Sequence, residues 1–365
     1  MEQRRVDVVV IGAGQAGLST GYHLQRVGLR PPGVPTATGR FVILDDNPGP
    51  GGAWQHRWPS LTMAHAHAIH DLPGLPRLAG DPDEPASVGV ARYFAEHEAL
   101  FGLDVRRPVR VRAVRDLGGH DGLLAVETDD GEWLTRAVVN ASGTWQKPFW
   151  PAYPGQSSFR GRQLHTHDFR TAADLAGAHV VVVGAGTSAV QLLLQVAEVA
   201  RTTWVTRRPP QWTRRPFDPE WGRDVVARVD ARTRAGLVPL SVVAETGLPL
   251  TLEYQSGIDA GILVPRPMFD RIVPDGVAWD AGRVPPAEEH LAADVILWAT
   301  GFRAALDHLA PLHLRTHGGG IVMDGTEVVA DPRVQLVGYG PSASTIGANR
   351  AGREAVRNLR RLLGL

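Results

Sequence analysis

The sequence predicts an α/β protein with two Rossmann-like dinucleotide-binding domains. Two glycine fingerprints lie half a chain apart, Gly12-Ala13-Gly14-Gln15-Ala16-Gly17 and Gly184-Ala185-Gly186-Thr187-Ser188-Ala189. Each follows an apolar, β-branched run typical of a buried strand, residues 6–11 and 180–183, and each precedes a helix-like segment. A strand, a glycine turn and a helix in this order bind a dinucleotide, so two copies predict two bound dinucleotides.

Each fingerprint position has a physical role. The first glycine permits the tight turn after the strand, and the second lets a pyrophosphate approach the backbone. The third position needs a small residue because the helix packs on the sheet there, and the phosphates are expected at the helix N-terminus, where free N–H groups and the helix dipole favour an anion. The cofactor-binding residues predicted from the fingerprints are Gly12, Gly14, Gly17, Gly184, Gly186 and Ser188.

The ends of the second strands distinguish the two sites. Residues 41–44 predict a strand that ends in Asp45-Asp46, and an acid at this place accepts hydrogen bonds from a ribose. Residues 203–206 predict the matching strand of the second copy, which ends in Arg207-Arg208, where arginine pairs with a 2′-phosphate. The first site is therefore interpreted as an FAD site and the second as an NADPH site, with ordinary exposed charges at strand ends as the alternative.

The remaining segments predict that the FAD-binding domain is discontinuous in sequence. Residues 1–155 and 287–365 are predicted to form the FAD-binding domain, and residues 156–286 the inserted NADPH-binding domain. A glycine-rich loop at 49–53 leads to Trp54, and Gly52 and Trp54 are predicted to lie at the cofactor. The other predicted elements are a helix at 87–100, strands at 109–114, 123–128, 137–141, 294–298 and 334–337, a linker at 148–155 and a terminal helix, whereas 217–282 has a mixed pattern.

Composition narrows the function classes. The 38 basic and 38 acidic residues balance, so no bulk charge attracts nucleic acid. Cysteine is absent, which excludes disulfides, thiolate metal sites and a redox-active cysteine pair, and Lys147 is the sole lysine for Schiff-base chemistry. The chain enters its first strand almost at once and has no apolar run near the ~20 residues of a membrane span, so we expect a cytoplasmic protein without a membrane partner.

A segment between the two fingerprints resembles a family motif. Residues 159–169, FRGRQLHTHDF, fit the pattern FxGxxxHxxx(F/Y/W), in which Phe159, Gly161, His165 and Phe169 hold the defining positions. The pattern is similar to that of the flavin-containing monooxygenases and their Baeyer-Villiger relatives. The resemblance covers nearly the whole chain, because both fingerprints, the GGxW loop and the 299–301 segment follow in the order that this family uses.

The resemblance implies a function. It implies that NADPH reduces FAD and that O₂ then forms a C4a-hydroperoxyflavin, which oxygenates a small molecule. The motif ends in Phe169 rather than the tryptophan usual in Baeyer-Villiger enzymes, which favours a nitrogen or sulfur atom as acceptor. His165 would join the cofactor site, as would Thr300 and Gly301, and Gly347 near the start of the last helix would direct an N–H dipole to the flavin.

One departure from the family concerns the residue beside the flavin. The animal-type members carry an asparagine where this chain has Ala64, and His65 and His67 follow immediately. We therefore consider both histidines as catalytic candidates that replace the polar group. Their alternating spacing also suggests a metal pair, but no further ligand stands at a recognisable spacing, so no metal is predicted.

Three function classes remain open from sequence alone. The first is the NADPH- and FAD-dependent monooxygenase. The second is an FAD-containing NADPH reductase or oxidase that passes electrons to a protein or quinone acceptor without oxygen transfer. The third is a non-catalytic flavoprotein that senses NADPH or binds another protein. The substrate, and whether the chain forms a homo-oligomer, are left open.

Overall fold

The structure, a computed structural model, describes residues 4–35, 38–66, 69–77, 80–118, 122–214, 219–239 and 246–364. The chain divides into two compact units. The first unit comprises residues 1–146, 220–240 and 304–365, and the second comprises residues 147–219 and 241–303.

Both units combine helices with mainly parallel strands. The described helices are α1 (Gln15–Arg26), α2 (Ala86–Phe101), α3 (Thr187–Ala197), α4 (Pro219–Arg234), α5 (Leu252–Asp259) and α6 (Thr345–Leu363). The described strands are β1 (Arg4–Ile11), β2 (Leu29–Arg30), β3 (Gly39–Leu44), β4 (Val105–Arg106), β5 (Val111–Asp116), β6 (Leu124–Thr128), β7 (Gly131–Asn140), β8 (Arg162–His165), β9 (His179–Val183), β10 (Arg201–Thr206), β11 (Trp212–Thr213), β12 (Leu248–Pro249), β13 (Pro265–Pro267), β14 (Arg271–Val273), β15 (Gly276–Ala278), β16 (His290–Ala292), β17 (Val295–Trp298), β18 (Met323–Asp324), β19 (Glu327–Val328) and β20 (Asp331–Leu336).

The first unit is built on a sheet whose middle strands are parallel. The order is β18-β19-β20-β7-β1-β3-β2, and β4 joins the edge of β3. Strands β20, β7, β1 and β3 run parallel, while β5, β6 and the first half of β7 form an antiparallel meander. Val8, Val9 and Val10 in β1 are fully buried, as expected of a strand covered on both faces.

The second unit contains a five-stranded parallel sheet in the order β13-β10-β9-β17-β8. A parallel pair, β11 with β12, and an antiparallel sheet, β14-β15-β16, complete its strands. Its β9 is as apolar and buried as β1, since Val180, Val181 and Val182 are all fully buried. A parallel sheet with helical crossovers is the arrangement that the second fingerprint predicts, so the predicted α/β class with two Rossmann-like units is confirmed.

The two units repeat one local geometry around their fingerprints. In the first, the N–H of Gly12 donates to Leu44 O at 2.7 Å and that of Ala141 to Ile11 O at 2.8 Å. In the second, the N–H of Gly184 donates to Val205 O at 3.0 Å and that of Ala299 to Val183 O at 2.8 Å. Each fingerprint turn is thus held between the ends of two neighbouring parallel strands.

The unit boundaries differ from the predicted domains. The second unit begins at residue 147 rather than 156 and ends at residue 303 rather than 286, and residues 220–240 belong to the first unit. The difference at 303 arises because β17 pairs with β9 and β8 inside the second sheet. The predicted linker at 148–155 lies at the start of the second unit.

Helices α6 and α1 pack closely against each other in the first unit. The small or apolar residues of α6 recur at helical spacing and are buried, and the helix packs on α1. A Cβ on Gly352 would lie 2.8 Å from Ser19 Oγ, so the two helices approach too closely for a side chain there. No helix among the described residues is long and apolar enough to cross a membrane.

Candidate dinucleotide-binding sites

The first cavity lies at the carboxyl ends of β1, β3 and β7 and has a volume of about 300 Å³. Ligands of open parallel sheets bind at this edge. Of the predicted cofactor-binding residues, Gly12, Gly14, Asp45, Gly52 and Trp54 all line it. The structure therefore brings together the fingerprint, the acidic strand end and the GGxW loop, which are up to 42 residues apart in sequence.

The fingerprint glycines leave room for a ligand and for close packing. Gly12 has φ +100°, and a Cβ there would lie 2.5 Å from Ala141 O. A Cβ on Gly17 would overlap the carbonyl oxygen of Gly12, so a side chain is excluded where α1 meets the turn. Gly52, with φ +52°, approaches Gly14 so closely that its Cβ would lie 2.8 Å from Gly14 Cα. Two backbone segments thus converge without side chains on one edge of the cavity.

Asp45 is held by a buried arginine. Its side chain is only 5% exposed and accepts a hydrogen bond from Arg107 Nε at 2.9 Å. The other guanidinium nitrogens of Arg107 donate to both Glu98 carboxylate oxygens at 2.7 Å. Burial alone would lower the pKa of Arg107, but the bonds to Glu98 and Asp45 outweigh it and raise that pKa. Asn47 Nδ2 donates to Asp45 Oδ1 at 3.1 Å, which further fixes the carboxylate.

A second polar group enters the cavity from the start of α1. Gln15 is 9% exposed, and its amide nitrogen donates to Asn349 Oδ1 at 2.9 Å and to His70 O at 3.2 Å. Its amide oxygen is buried and has no hydrogen-bond partner among the described residues. A buried acceptor of this kind costs free energy unless a donor reaches it. The hydroxyl and N–H groups of a flavin dinucleotide supply such donors, so these residues fit FAD.

The second cavity, in the second unit, has a volume of about 430 Å³. It is lined by Gly184, Gly186, Arg207, Arg208, Thr300 and Gly301, all of which the sequence predicts as cofactor-binding residues. No described atom lies within 4 Å of the place where a Cβ on Gly186 or on Gly301 would stand. The backbone is therefore open to a ligand at both glycines. Thr300 Oγ1 donates to Phe149 O at 2.5 Å, which anchors the 300–301 turn.

The two arginines at the end of β10 are exposed. Arg207 and Arg208 follow Thr206, the last residue of the strand, and line the second cavity. No carboxylate among the described residues pairs with either guanidinium. Two unpaired guanidinium groups at one rim form a favourable site for a phosphate, because arginine recognises phosphate through paired N–H donors.

His165 positions the second cavity without lining it. It is fully buried, its Nδ1 accepts from the backbone N–H of His167 at 3.1 Å, and its Nε2 lies 3.1 Å from Gly301 O. Since Nδ1 is an acceptor, the proton is on Nε2, which donates to Gly301 O. Burial lowers the pKa of His165 to about 4, so the ring is neutral at pH 7. His165 thus supports the turn that lines the cavity, and its predicted place in the cofactor site stays a prediction.

Replacing His165 with alanine is expected to weaken binding of NADP⁺ at least about tenfold, because the carbonyl of Gly301 loses its donor and the turn is no longer fixed. Isothermal titration with NADP⁺ measures this loss. His167→Ala is the matched control, because only the backbone N–H of His167 bonds to His165.

The pKa of His165 in the folded protein lies below the ordinary 6.5. Its contribution to stability is therefore full above pH 6.5 and is lost as the pH falls towards 4. Equal NADP⁺ affinity in both variants and an unchanged acid decline of the melting temperature would contradict the role.

Besides His165 and Gly17, three predicted residues do not line the cavities. The Gly347 N–H donates to Ser344 Oγ at 3.1 Å in the N-terminal cap of α6, so it is engaged within the helix, and Ser344 and Thr345 line the first cavity instead. Ser188 is half-buried at the start of α3 and does not line the second cavity. His65 is exposed and bonds to Thr62 Oγ1 at 2.9 Å, in a turn rather than in a strand, and lines neither cavity.

His67 lies outside the described residues. Ala64 is exposed and belongs to the same turn as His65. Within the ranges that the structure describes, no three His, Asp or Glu side chains come together as a metal-binding group. His70 contacts a residue of the cavity wall, since its Nδ1 lies 2.8 Å from Oγ1 of Thr345, which lines the first cavity.

Several cavity residues were missed by the sequence reasoning. Those of the first cavity include Gln15, Asn47, Thr144, Trp145 and Gln146, and those of the second include Phe149, Tyr153, Gln211 and Met268. A signal existed for the 144–146 group, because these residues follow the carboxyl end of the strand beside β1, where ligands of such sheets bind. Gln15 lies inside the first fingerprint, at a position to which the pattern assigns no role, and the others come from segments with no local pattern.

Comparison with known proteins agrees with this geometry. The family described as pyridine nucleotide-disulphide oxidoreductase matches residues 9–236. Among solved structures, the chain is similar to the flavin-containing monooxygenase from Stenotrophomonas maltophilia, with 36% identity and a TM-score of 0.80 over 98% of this chain and 99% of that chain.

Curated relatives match over a shorter region. The chain is 31% identical over 197 residues to an uncharacterized oxidoreductase, CzcO-like, of Geobacillus kaustophilus, which covers 54% of this chain and 53% of that protein. It is 29% identical over 245 residues to the Baeyer-Villiger monooxygenase ATR8 of Stachybotrys chlorohalonatus, which covers 60% of this chain and 36% of that protein. The chain thus spans about half the length, or less, of the curated relatives it matches.

Proposed function

We propose that the chain, which belongs to the pyridine nucleotide-disulphide oxidoreductase family and to the flavin-containing monooxygenases, uses FAD, NADPH and O₂ to oxygenate a small molecule. The acceptor that we propose is a nitrogen or sulfur atom. The single observation that carries the proposal is the end-to-end similarity to a flavin-containing monooxygenase of a chain that holds both fingerprint cavities.

FAD is proposed to occupy the first cavity. The backbone at Gly12 and Gly14 and the N-terminus of α1 bind its pyrophosphate, and Asp45, held by Arg107, accepts from its ribose hydroxyls. When bound, FAD supplies the chemistry that passes electrons from NADPH to O₂ and an oxygen atom to the substrate. The protein supplies binding, orientation and the exclusion of water.

NADPH is proposed to occupy the second cavity. Gly184 and Gly186 at the start of α3 bind its pyrophosphate, and Arg207 and Arg208 hold its 2′-phosphate. His165, neutral and buried, fixes the turn at Gly301, which also lines this cavity. The division of the chain into an FAD-binding and an NADPH-binding part follows the two units, with 147–219 and 241–303 as the NADPH-binding part.

The choice of a nitrogen or sulfur acceptor rests on the linker motif. Phe169, which closes the motif, is 2% exposed and packs within the second unit. A phenylalanine at this position departs from the tryptophan of the Baeyer-Villiger enzymes, and this difference supports an acceptor other than a ketone carbonyl.

Oxygen transfer is expected to be visible as isotope incorporation. With ¹⁸O₂, NADPH and a tertiary amine or an aryl methyl thioether, we expect NADPH consumption to rise with the substrate and the product mass to increase by one labelled oxygen. Mass spectrometry of the product measures the label, and the same reaction in H₂¹⁸O with unlabelled O₂ is the control.

Other outcomes assign other functions. NADPH consumption that continues with a quinone in the absence of O₂, and without a labelled product, would contradict oxygen transfer and identify a reductase. A labelled ester formed from a cyclic ketone, with no reaction of the amine or thioether, would replace the proposed acceptor with a carbonyl group.

A further inference from the structure

Arg57 is a half-buried cation beside the first cavity, and the fingerprints assign it no role. It follows the short 3₁₀ helix Gly52–His56, and its guanidinium carbon lies 4.7 Å from the ring centroid of Trp145 and 5.9 Å from that of Trp54. Both tryptophans line the first cavity. The imidazole of His56 is also stacked on Trp145, with 5.9 Å between ring centroids. The cation therefore stands against the aromatic wall of the site.

The guanidinium of Arg57 has no counter-charge among the described residues. Its Nε is buried without a hydrogen-bond partner, and no described carboxylate forms an ion pair with it. Burial lowers the pKa of Arg57 to about 10, so the group is still charged at pH 7. Stacking on tryptophan offsets part of the cost of burying this charge but supplies no anion.

Two other arginines of the same unit, with side chains only 11% and 9% exposed, are paired with carboxylates. Arg107 bonds to Asp45 and Glu98, and Arg333 bonds to Asp331 and Asp116 at 2.8 and 3.1 Å. In both cases the first unit supplies two carboxylates to the guanidinium. Arg57 departs from this pattern, and it does so next to a cavity that fits an anionic dinucleotide.

We propose that Arg57 is the counter-charge for an anionic group of the dinucleotide bound in the first cavity. The inference rests on the proposal that this cavity holds FAD. Two parts of FAD offer the same chemistry: the pyrophosphate, charged in both oxidation states, and the isoalloxazine ring, which gains a negative charge on reduction. Arginine suits either part, because its planar group stays charged when buried and donates several hydrogen bonds.

The test compares Arg57→Gln with Arg57→Lys, which keeps the charge, and with Arg4→Gln. Arg4 is a matched control because its guanidinium also lies over a tryptophan of the first unit, 5.3 Å from the ring centroid of Trp133, but is exposed and paired with Asp130. After removal of bound flavin, isothermal titration gives the dissociation constants of FAD and of ADP. A dye-coupled reductive titration of the FAD-bound protein gives the two-electron midpoint potential.

We expect Arg57→Gln to change either the dissociation constants or the equilibrium constant of flavin reduction about tenfold. Arg57→Lys is expected to have a smaller effect, and Arg4→Gln none. Weaker binding of both FAD and ADP identifies the pyrophosphate as the anion. The reduced ring is identified if ADP binding is unchanged and the midpoint potential falls by about 30 mV. For a two-electron couple, this shift is a tenfold change in the equilibrium constant of reduction.

Two outcomes would overturn the inference. If wild-type protein binds FAD and Arg57→Gln leaves both dissociation constants and the potential unchanged, Arg57 is no counter-charge, while the proposed function stands. The same conclusion follows if Arg57→Gln lowers the melting temperature equally with and without FAD, since a purely structural contact acts in both states. Wild-type protein that binds no FAD would overturn the proposed function itself, together with this inference.

Discussion

Replacing Arg107 with methionine is expected to lower the free energy of unfolding by about 3–5 kcal/mol and to weaken FAD binding, because two carboxylates lose one shared cation. The side chains of Asp45 and Glu98 are only 5% and 15% exposed, so water cannot solvate the charges that the substitution leaves unpaired. Asp45 also loses the hydrogen bond that orients it into the first cavity. Urea denaturation followed by circular dichroism measures the first effect, and titration with FAD measures the second.

The neighbouring Arg106 provides the control. It pairs with Asp104 at 2.8 Å, but both side chains are 40% exposed or more, so Arg106→Met is expected to change stability by less than about 1 kcal/mol. A double variant, Arg107→Met with Glu98→Met, is expected to regain much of the loss, because it removes an unpaired carboxylate. If Arg107→Met changes the free energy of unfolding and FAD binding no more than Arg106→Met does, the buried ion pairs do not stabilise the site.

The partners of Arg107 show a limit of reasoning from sequence. Asp45 was predictable as a binding residue, since a strand of known pattern ends there and the fingerprint fixes its place in the unit. The arginine that holds it lies 62 residues further along the chain, and no local pattern connects the two. Pairings between distant segments depend on how loops return to the sheet, which hydrophobic periodicity does not describe.

The same limit explains the unit boundary at residue 303. A strand was predicted at 294–298, and the observed β17 is fully apolar and buried. A buried parallel strand has the same pattern in either sheet, so its sequence does not indicate which strands it joins. By contrast, α4 carried a readable signal, because the buried residues Val225, Val229 and Thr233 recur every four positions, but they lie within the segment of mixed pattern.

The fingerprints, by contrast, predicted the position of many residues of the site. Both glycine turns, both second-strand ends and the 299–301 turn lie where the pattern places them, because each is fixed by short-range geometry at the end of a strand. The histidines after the GGxW loop were harder to place. A turn at residues 62–66, rather than a strand, directs His65 to solvent, and a backbone turn of this kind has no alternation to indicate it.

Replacing Arg207 and Arg208 together with serine is expected to reduce kcat/KM for NADPH about a hundredfold while leaving kcat/KM for NADH nearly unchanged. Each charge-assisted bond to the 2′-phosphate contributes about 1.5–3 kcal/mol. Both arginines are exposed, so solvent screening reduces that contribution towards the lower value. Two bonds of about 1.4 kcal/mol each correspond to roughly a hundredfold. Because NADH has no 2′-phosphate, its kinetics report on every other contact of the second cavity.

The control lies at the other end of the same strand. Arg201 begins β10 and is exposed, but it does not line the second cavity, so Arg201→Ser removes a like charge from the unit without touching the site. We expect this variant to keep the wild-type preference for NADPH. Rising ionic strength should lower the preference of the wild-type protein for NADPH over NADH, because salt screens exposed charges. It should have little effect on the double variant. A double variant that still prefers NADPH, or wild-type protein that prefers neither cofactor, would show that these arginines do not read the 2′-phosphate.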